Sequence, residues 1–204
     1  EQEIREKMHI IQHAPMDEIG LVSYVQFNKY NENNGDVYEL KRPSLISLPR
    51  GLNSLVTSTA PVATGVAETK TNINSFGPYL FSKTGIEMEW PNSATVPNGD
   101  LVTFRLNSNP DQIPDSNYTT VPLKSYYIIN NFGSNQTFSS LKYLRIKNLP
   151  IPETGYSENS FSLYKRGSTD FGDTWGSNLG PPLLFSYGAD STSYLDFESP
   201  ELIN

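Results

Sequence analysis

From about Val62 onward, short apolar runs recur at close intervals, each bounded by glycine, proline or asparagine. Runs of about four to eight residues are too short for core helices but long enough to cross a sheet. Residues 78–90 (PYLFSKTGIEMEW) read as two strands around a turn at 83–85. Their second half puts Ile86, Met88 and Trp90 on one face and Glu87 and Glu89 on the other. That is the period-two pattern of a half-buried strand. Residues 101–106 (LVTFRL) follow a Pro-Asn-Gly-Asp turn, and 141–149 (LKYLRIKNL) alternate again. Residues 125–132 (SYYIINNF) form the most apolar run and are expected as a central strand. Further runs at 160–164, 183–187 and 194–197 complete eight or so strands. With 15 prolines and 14 glycines to turn the chain, the expected fold is all-β, an antiparallel β-sandwich.

The N-terminal part reads differently. In residues 1–13, Ile4, Met8 and Ile11 fall at helical spacing, with Glu1, Glu3, Arg5, Glu6 and Lys7 around them and Pro15 beyond. One amphipathic helix is expected there. The chain opens inside this pattern with neither Met nor a signal peptide, as a fragment or processed product would. Residues 20–27 (GLVSYVQF) and 37–40 read as a hairpin around the NENNG turn at 31–35. Pro43, Pro49, Gly51 and Pro61 mark 42–61 as an extended linker. The expected organisation is a helix plus hairpin over 1–41, a linker over 42–61 and the sandwich over 62–204.

Charge and composition narrow the function. The net charge of −7 repels nucleic acid and anionic membrane surfaces alike. No apolar run reaches the length of a transmembrane span. The absence of cysteine removes thiol catalysis, thiolate metal sites and disulfides. There is no nucleophile-elbow, phosphate-loop or dinucleotide-binding pattern. Glu87 and Glu89 suggest a carboxylate pair, yet strand alternation already explains them as the wet side of a sheet. His9 and His13, the only histidines, stand four apart like half a zinc site but lack a third ligand pattern. They read as a helix end. Asn117-Tyr-Thr119 and Asn135-Gln-Thr137 match the glycosylation acceptor pattern.

Two loops carry the remaining chemistry. Asp170 and Asp173 sit among glycines beside Trp175, and Asp111 and Asp115 share the loop at 109–117. Their carboxylates are the weak candidates for a metal, calcium being the cation they suit, although neither loop has EF-hand spacing. Trp175, flanked by Gly172 and Gly176, is the aromatic best placed for exposure and for stacking on a sugar ring. The candidate ligand-binding residues are therefore Trp175, Asp170 and Asp173. No residue is assigned to catalysis and no cofactor is required.

EQEIREKMH followed by GLVSYVQFN and NGDVYEL resembles the segment closing laminin-G/concanavalin-like (LamG) domains in secreted Bacteroidetes proteins. STAPVATG at 58–65, YYIINNFG at 126–133 and SLYKRGSTDFGDTWG at 162–176 resemble a module that recurs beside those domains. The resemblance implies cargo of the type IX secretion system, displayed at the cell surface outside the outer membrane or secreted. It implies contact with the secretion machinery during export, and glycans or other surface polymers as partners. Large adhesins and polysaccharide-degrading proteins carry such modules, and the resemblance brings no catalytic residues. The function expected is a non-catalytic spacer or presentation module; the alternatives are a carbohydrate-binding module and, last, a polysaccharide hydrolase or lyase.

Overall fold

Glu87 and Glu89 point away from Ile86 and Met88, which are fully buried, and Trp90 continues the inward row. A strand built this way needs a second layer on its apolar side, and the chain supplies one. The computed structural model describes residues 1–12, 14–30, 37–41, 46–47, 61–93, 95–109, 125–135, 141–149, 155, 157–166, 175, 179–186, 193–198 and 200. In chain order it contains helix α1 (Gln2–Lys7) and strands β1 (Val25–Tyr30), β2 (Val37–Glu39), β3 (Ile46–Ser47), β4 (Gly65–Ile73), β5 (Pro78–Phe81), β6 (Ile86–Glu89), β7 (Gly99–Leu106), β8 (Tyr126–Asn131) and β9 (Tyr143–Lys147). A 3₁₀ turn (Glu158–Ser160), β10 (Leu184–Ser186) and β11 (Tyr194–Glu198) follow. The chain divides into two units, residues 1–11 with 59–204, and residues 12–58.

The larger unit is an antiparallel β-sandwich. One sheet has the order β10-β11-β9-β6-β5 and the other β4-β7-β8. Phe81, Ile86, Met88, Leu144, Ile146, Leu195 and Phe197 from the first meet Ile73 and Leu101 from the second, with Trp90, Leu141 and Phe161 closing the cluster. Two buried polar links cross between the layers. The hydroxyls of Thr84, in the β5–β6 turn, and Thr103, on β7, lie 2.8 Å apart. Glu68 of β4, 9% exposed, accepts from the Lys83 amide at 2.7 Å in the same turn. Each buried oxygen thus finds its partner in the opposite layer, which fixes how the sheets face each other.

The three-stranded sheet is covered on its other face too. Val102, Phe104 and Leu106 form a second cluster with Ala63, and Ile10, Tyr126 and Ile128 pack on it. This changes the reading of β8. Its residues divide between the clusters, Tyr127 and Ile129 toward the first and Tyr126 and Ile128 toward the second. The run expected as a central strand is an edge strand, paired among the described residues only with β7. It is apolar because both faces of its sheet are covered, not because strands flank it on both sides.

The N-terminal helix also departs from expectation. It spans Gln2–Lys7, and no residue in it is buried. Ile4 is 75% and Met8 51% exposed, so the apolar stripe faces outward. The inward contacts are polar: Arg5 pairs with Asp100 at 3.1 Å and lies over the Phe132 ring at 4.3 Å. The helix stops early because the next residues form sheet-like bonds instead. Ala63 donates to the His9 carbonyl at 3.2 Å and Ile11 donates to the Ala63 carbonyl at 2.9 Å. Residues 160–164, expected as a strand, form none: Ser160 ends the 3₁₀ turn, Phe161 is buried, and Leu163 donates to the Gly180 carbonyl at 3.1 Å and accepts from the Leu179 amide at 2.8 Å.

In the smaller unit, β1, β2 and β3 form a three-stranded antiparallel sheet. The β1–β2 hairpin is held by Glu39, whose buried carboxylate accepts the Tyr24 amide at 2.7 Å and the Lys41 amide at 2.9 Å. β3 pairs with β2 inside the stretch expected as a linker.

Candidate functional site

The strand register places three rows of side chains on the outer face of the five-stranded sheet. Glu89 lies opposite Tyr143, which lies opposite Glu198; Glu87 opposite Arg145 opposite Asp196; and Lys147 opposite Tyr194. In the middle row one arginine stands between two acids. Arg145 Nε donates to Asp196 Oδ2 at 3.0 Å, its Nη2 makes a second bond to the same oxygen, and its Nη1 lies 3.6 Å from Glu87. Its guanidinium also lies over the Tyr143 and Tyr194 rings, 5.3 and 5.0 Å from their centroids. Such stacking suits the planar, weakly hydrated guanidinium and holds it flat along the sheet.

Glu87 is the hub of this face. It accepts from the Tyr143 hydroxyl at 2.6 Å and from Lys147 Nζ at 2.5 Å. Burial alone would raise its pKa, but the bonds from Lys147 and Tyr143 and the charges of Lys147 and Arg145 prevail, holding it below the usual carboxylate range. Burial and the neighbouring Glu87 and Glu89 push the Tyr143 phenol well above its ordinary value. Lys142 pairs with Glu89 at 2.7 Å. Both carboxylates of the suggested pair are thus bonded to cations. A general acid needs a raised pKa and a free proton; Glu87 has the reverse.

The linkage sign follows from the lowered Glu87 pKa. Stabilisation by the ionised form is complete above the ordinary carboxylate value, 4.5, and fades as pH falls through the lower folded value. Glu87→Gln is expected to cost about 1 kcal/mol near neutral pH, in the range of a partly exposed charge network. The variant should lose stability less steeply than the parent below that pH. Urea midpoints across the acid range check both; equal slopes would remove Glu87 from the titration.

Among the proposed loop residues, Trp175 is described. It is half-buried, its ring 6.0 Å from that of Tyr126 in an edge-on contact and 4.5 Å from the Arg166 guanidinium over its face. Asp170, Asp173, Asp111 and Asp115 lie outside the described residues, as does His13. Among the described residues no three His, Asp or Glu side chains come together as a metal set. His9 is half-buried against the fold rather than standing at an open helix end. Its Nδ1 lies 2.9 Å from the Pro61 carbonyl and its Nε2 3.2 Å from the Asn130 amide nitrogen, with Phe104 edge-on at 4.9 Å. The carbonyl requires Nδ1 to carry the proton, so Nε2 accepts from Asn130. Burial lowers the His9 pKa and favours that neutral form. The Asn135 side-chain nitrogen donates to the Val96 carbonyl at 2.9 Å, which engages the amide that glycosylation would use.

The network around Arg145 was not singled out by the sequence. Its one signal was the alternation of 141–149, which set Tyr143, Arg145 and Lys147 on one face. Among the described residues, no helix is long and apolar enough to cross a membrane. No protein-family model, curated protein or solved structure matches the chain.

Proposed function

We propose that the chain is a non-catalytic β-sandwich module of a secreted or cell-surface protein, serving as a spacer or presentation element. The reading extends to export as type IX secretion cargo beside a LamG-like region, on the strength of the sequence resemblance. The observation that supports a structural role is the pairing of charge on the outer sheet face. Glu87, Glu89 and Asp196 are each bonded to Lys147, Lys142 or Arg145. Groups committed in this way brace strands against one another and are costly to redirect to a substrate.

A second reading, a carbohydrate-binding module with calcium as a ligand of the same loop, is favoured by one feature. Trp175 is half-buried beside Tyr126 and Arg166, an aromatic and cationic pairing that can receive a sugar hydroxyl and its ring face. Both readings are tested by incubating the chain with bacterial and algal polysaccharides, with and without calcium. Reducing-end release and Trp fluorescence are followed together. The spacer reading expects neither turnover nor saturable binding. Binding lost in Trp175→Ala would favour the second reading, and turnover of any polymer would overturn both.

A further inference from the structure

Sheet edges present unpaired backbone groups, and proteins ordinarily shield them. Among the described residues the sandwich has four sheet edges, and three of them carry a recognisable device at or beside the strand. β5 begins with Pro78, β10 is three residues long, and β4 continues from Ala63, which the N-terminal segment pairs at Ile10. The fourth edge, β8, spans six residues, and the run 125–133 (SYYIINNFG) contains neither proline nor a charged side chain.

The ladder phase identifies which β8 groups face outward. Phe132 donates to the Asp100 carbonyl at 2.9 Å, so 132 and 100 are a bonded pair. Bonded and non-bonded pairs alternate in antiparallel ladders. Residues 130 and 128 therefore bond to 102 and 104, and the backbone groups of Tyr127, Ile129 and Asn131 point away from β7. The opposite side of β7 agrees: Asn107 donates to the Thr64 carbonyl at 2.8 Å, which turns Leu101, Thr103 and Arg105 toward β4. Among the described residues, nothing hydrogen-bonds to the outward groups of Tyr127, Ile129 and Asn131.

We propose that β8 is a homotypic interface, on which a second copy of the chain adds its own β8 antiparallel, about a twofold axis through Ile129. The occupant follows from symmetry and charge. The three outward-facing residues are evenly disposed about Ile129. In this register Ile129 faces its own copy, and Tyr127 faces Asn131 of the second copy. All three residues then pair at once, and residues of like face stay on the same side. A strand without charge offers no counter-ion to an acidic or basic peptide and no repulsion to a neutral one. A copy of itself satisfies both conditions, although the whole chain carries −7. Because a twofold pairing uses β8 of both copies, it closes at a dimer rather than extending into a fibre.

Sedimentation velocity from micromolar to near-millimolar concentrations tests the association, and amide exchange tests its place. The expected result is a reversible dimer in which the amides of 127, 129 and 131 slow by about tenfold or more with concentration. Those of 128 and 130 should be protected throughout. Ile129→Pro removes an outward donor without taking a bond from the β7 ladder, and should remain monomeric with an unchanged far-ultraviolet spectrum. Three results would overturn the proposal: a chain monomeric at every concentration, a dimer whose exchange at 127, 129 and 131 ignores concentration, or an unrelated extended peptide that protects those amides while the chain stays monomeric.

Discussion

Trp90→Ala is expected to destabilise the sandwich by about 3–5 kcal/mol, the range for removing a large aromatic from a closed core. Trp90 has no exposed surface and meets Tyr79 edge-on, with centroids 5.7 Å apart. It belongs to a core cluster with Ile73, Phe81, Ile86, Met88 and Leu101, drawn from both sheets. Those residues are fixed by two ladders and by the Thr84–Thr103 and Glu68–Lys83 links, so the layers cannot close over the space left behind. A cavity that cannot collapse adds its own cost to the lost burial. For a domain of this size the loss corresponds to a melting point lower by about 6–20 °C. Trp90→Phe, which keeps an aromatic ring in place, should cost about 1–2 kcal/mol. Circular dichroism during urea and thermal unfolding checks the series. An alanine variant as stable as the parent would place Trp90 outside the load shared by the sheets.

How far the sequence reveals such positions depends on whether the signal is local. Ile86, Met88 and Trp90 alternate with glutamates within five residues, and the strand lies as the pattern requires. Leu144 and Ile146 are buried between outward Tyr143, Arg145 and Lys147 for the same reason. The charged network on that face was not legible, because it joins residues far apart. Arg145 meets Asp196 across 51 positions, and Lys147 meets Glu87 across 60. Only the β6-β9-β11 order brings them together.

Two departures have another origin: the apolar pattern is real, but its partner is not the one that periodicity suggests. The run at β8 is half-buried on both faces, yet its coverage comes from the five-stranded sheet on one side and from Ile10 on the other, not from flanking strands. Ile4 and Met8 have helical spacing, but Arg5 and His9 make the inward contacts, to Asp100, Phe132, Pro61 and Asn130. Apolar periodicity shows that a face exists; it does not show which face the fold uses when long-range polar bonds compete.

Gly133→Ala should be nearly as damaging as Trp90→Ala, at about 3–5 kcal/mol, although it adds a single methyl group. A Cβ at Gly133 would lie 2.1 Å from the Pro97 carbonyl oxygen, far inside contact distance, and Gly133 is buried. The obstacle is backbone and cannot rotate away. Nor is that carbonyl free to shift, since Asn135 donates to it at 3.0 Å while its side chain donates to Val96. Ser134 donates to the Asn98 carbonyl at 3.1 Å, and Asn131 bonds to both the Gly133 amide and the Asn135 carbonyl. Relieving the overlap means separating these two turns and giving up several such bonds, each worth about 1 kcal/mol. Because the turns join the end of β8 to the start of β7, the strain should also loosen β8. Gly77→Ala supplies the control: unlike Gly133 it has a positive φ, 142°, but its Cβ would meet nothing within 4 Å. Its cost should be the backbone strain alone, about 1 kcal/mol. Comparing unfolding midpoints of the two variants separates crowding from conformation. If both lose the same amount, the junction yields to the added methyl group and does not hold β8 in place.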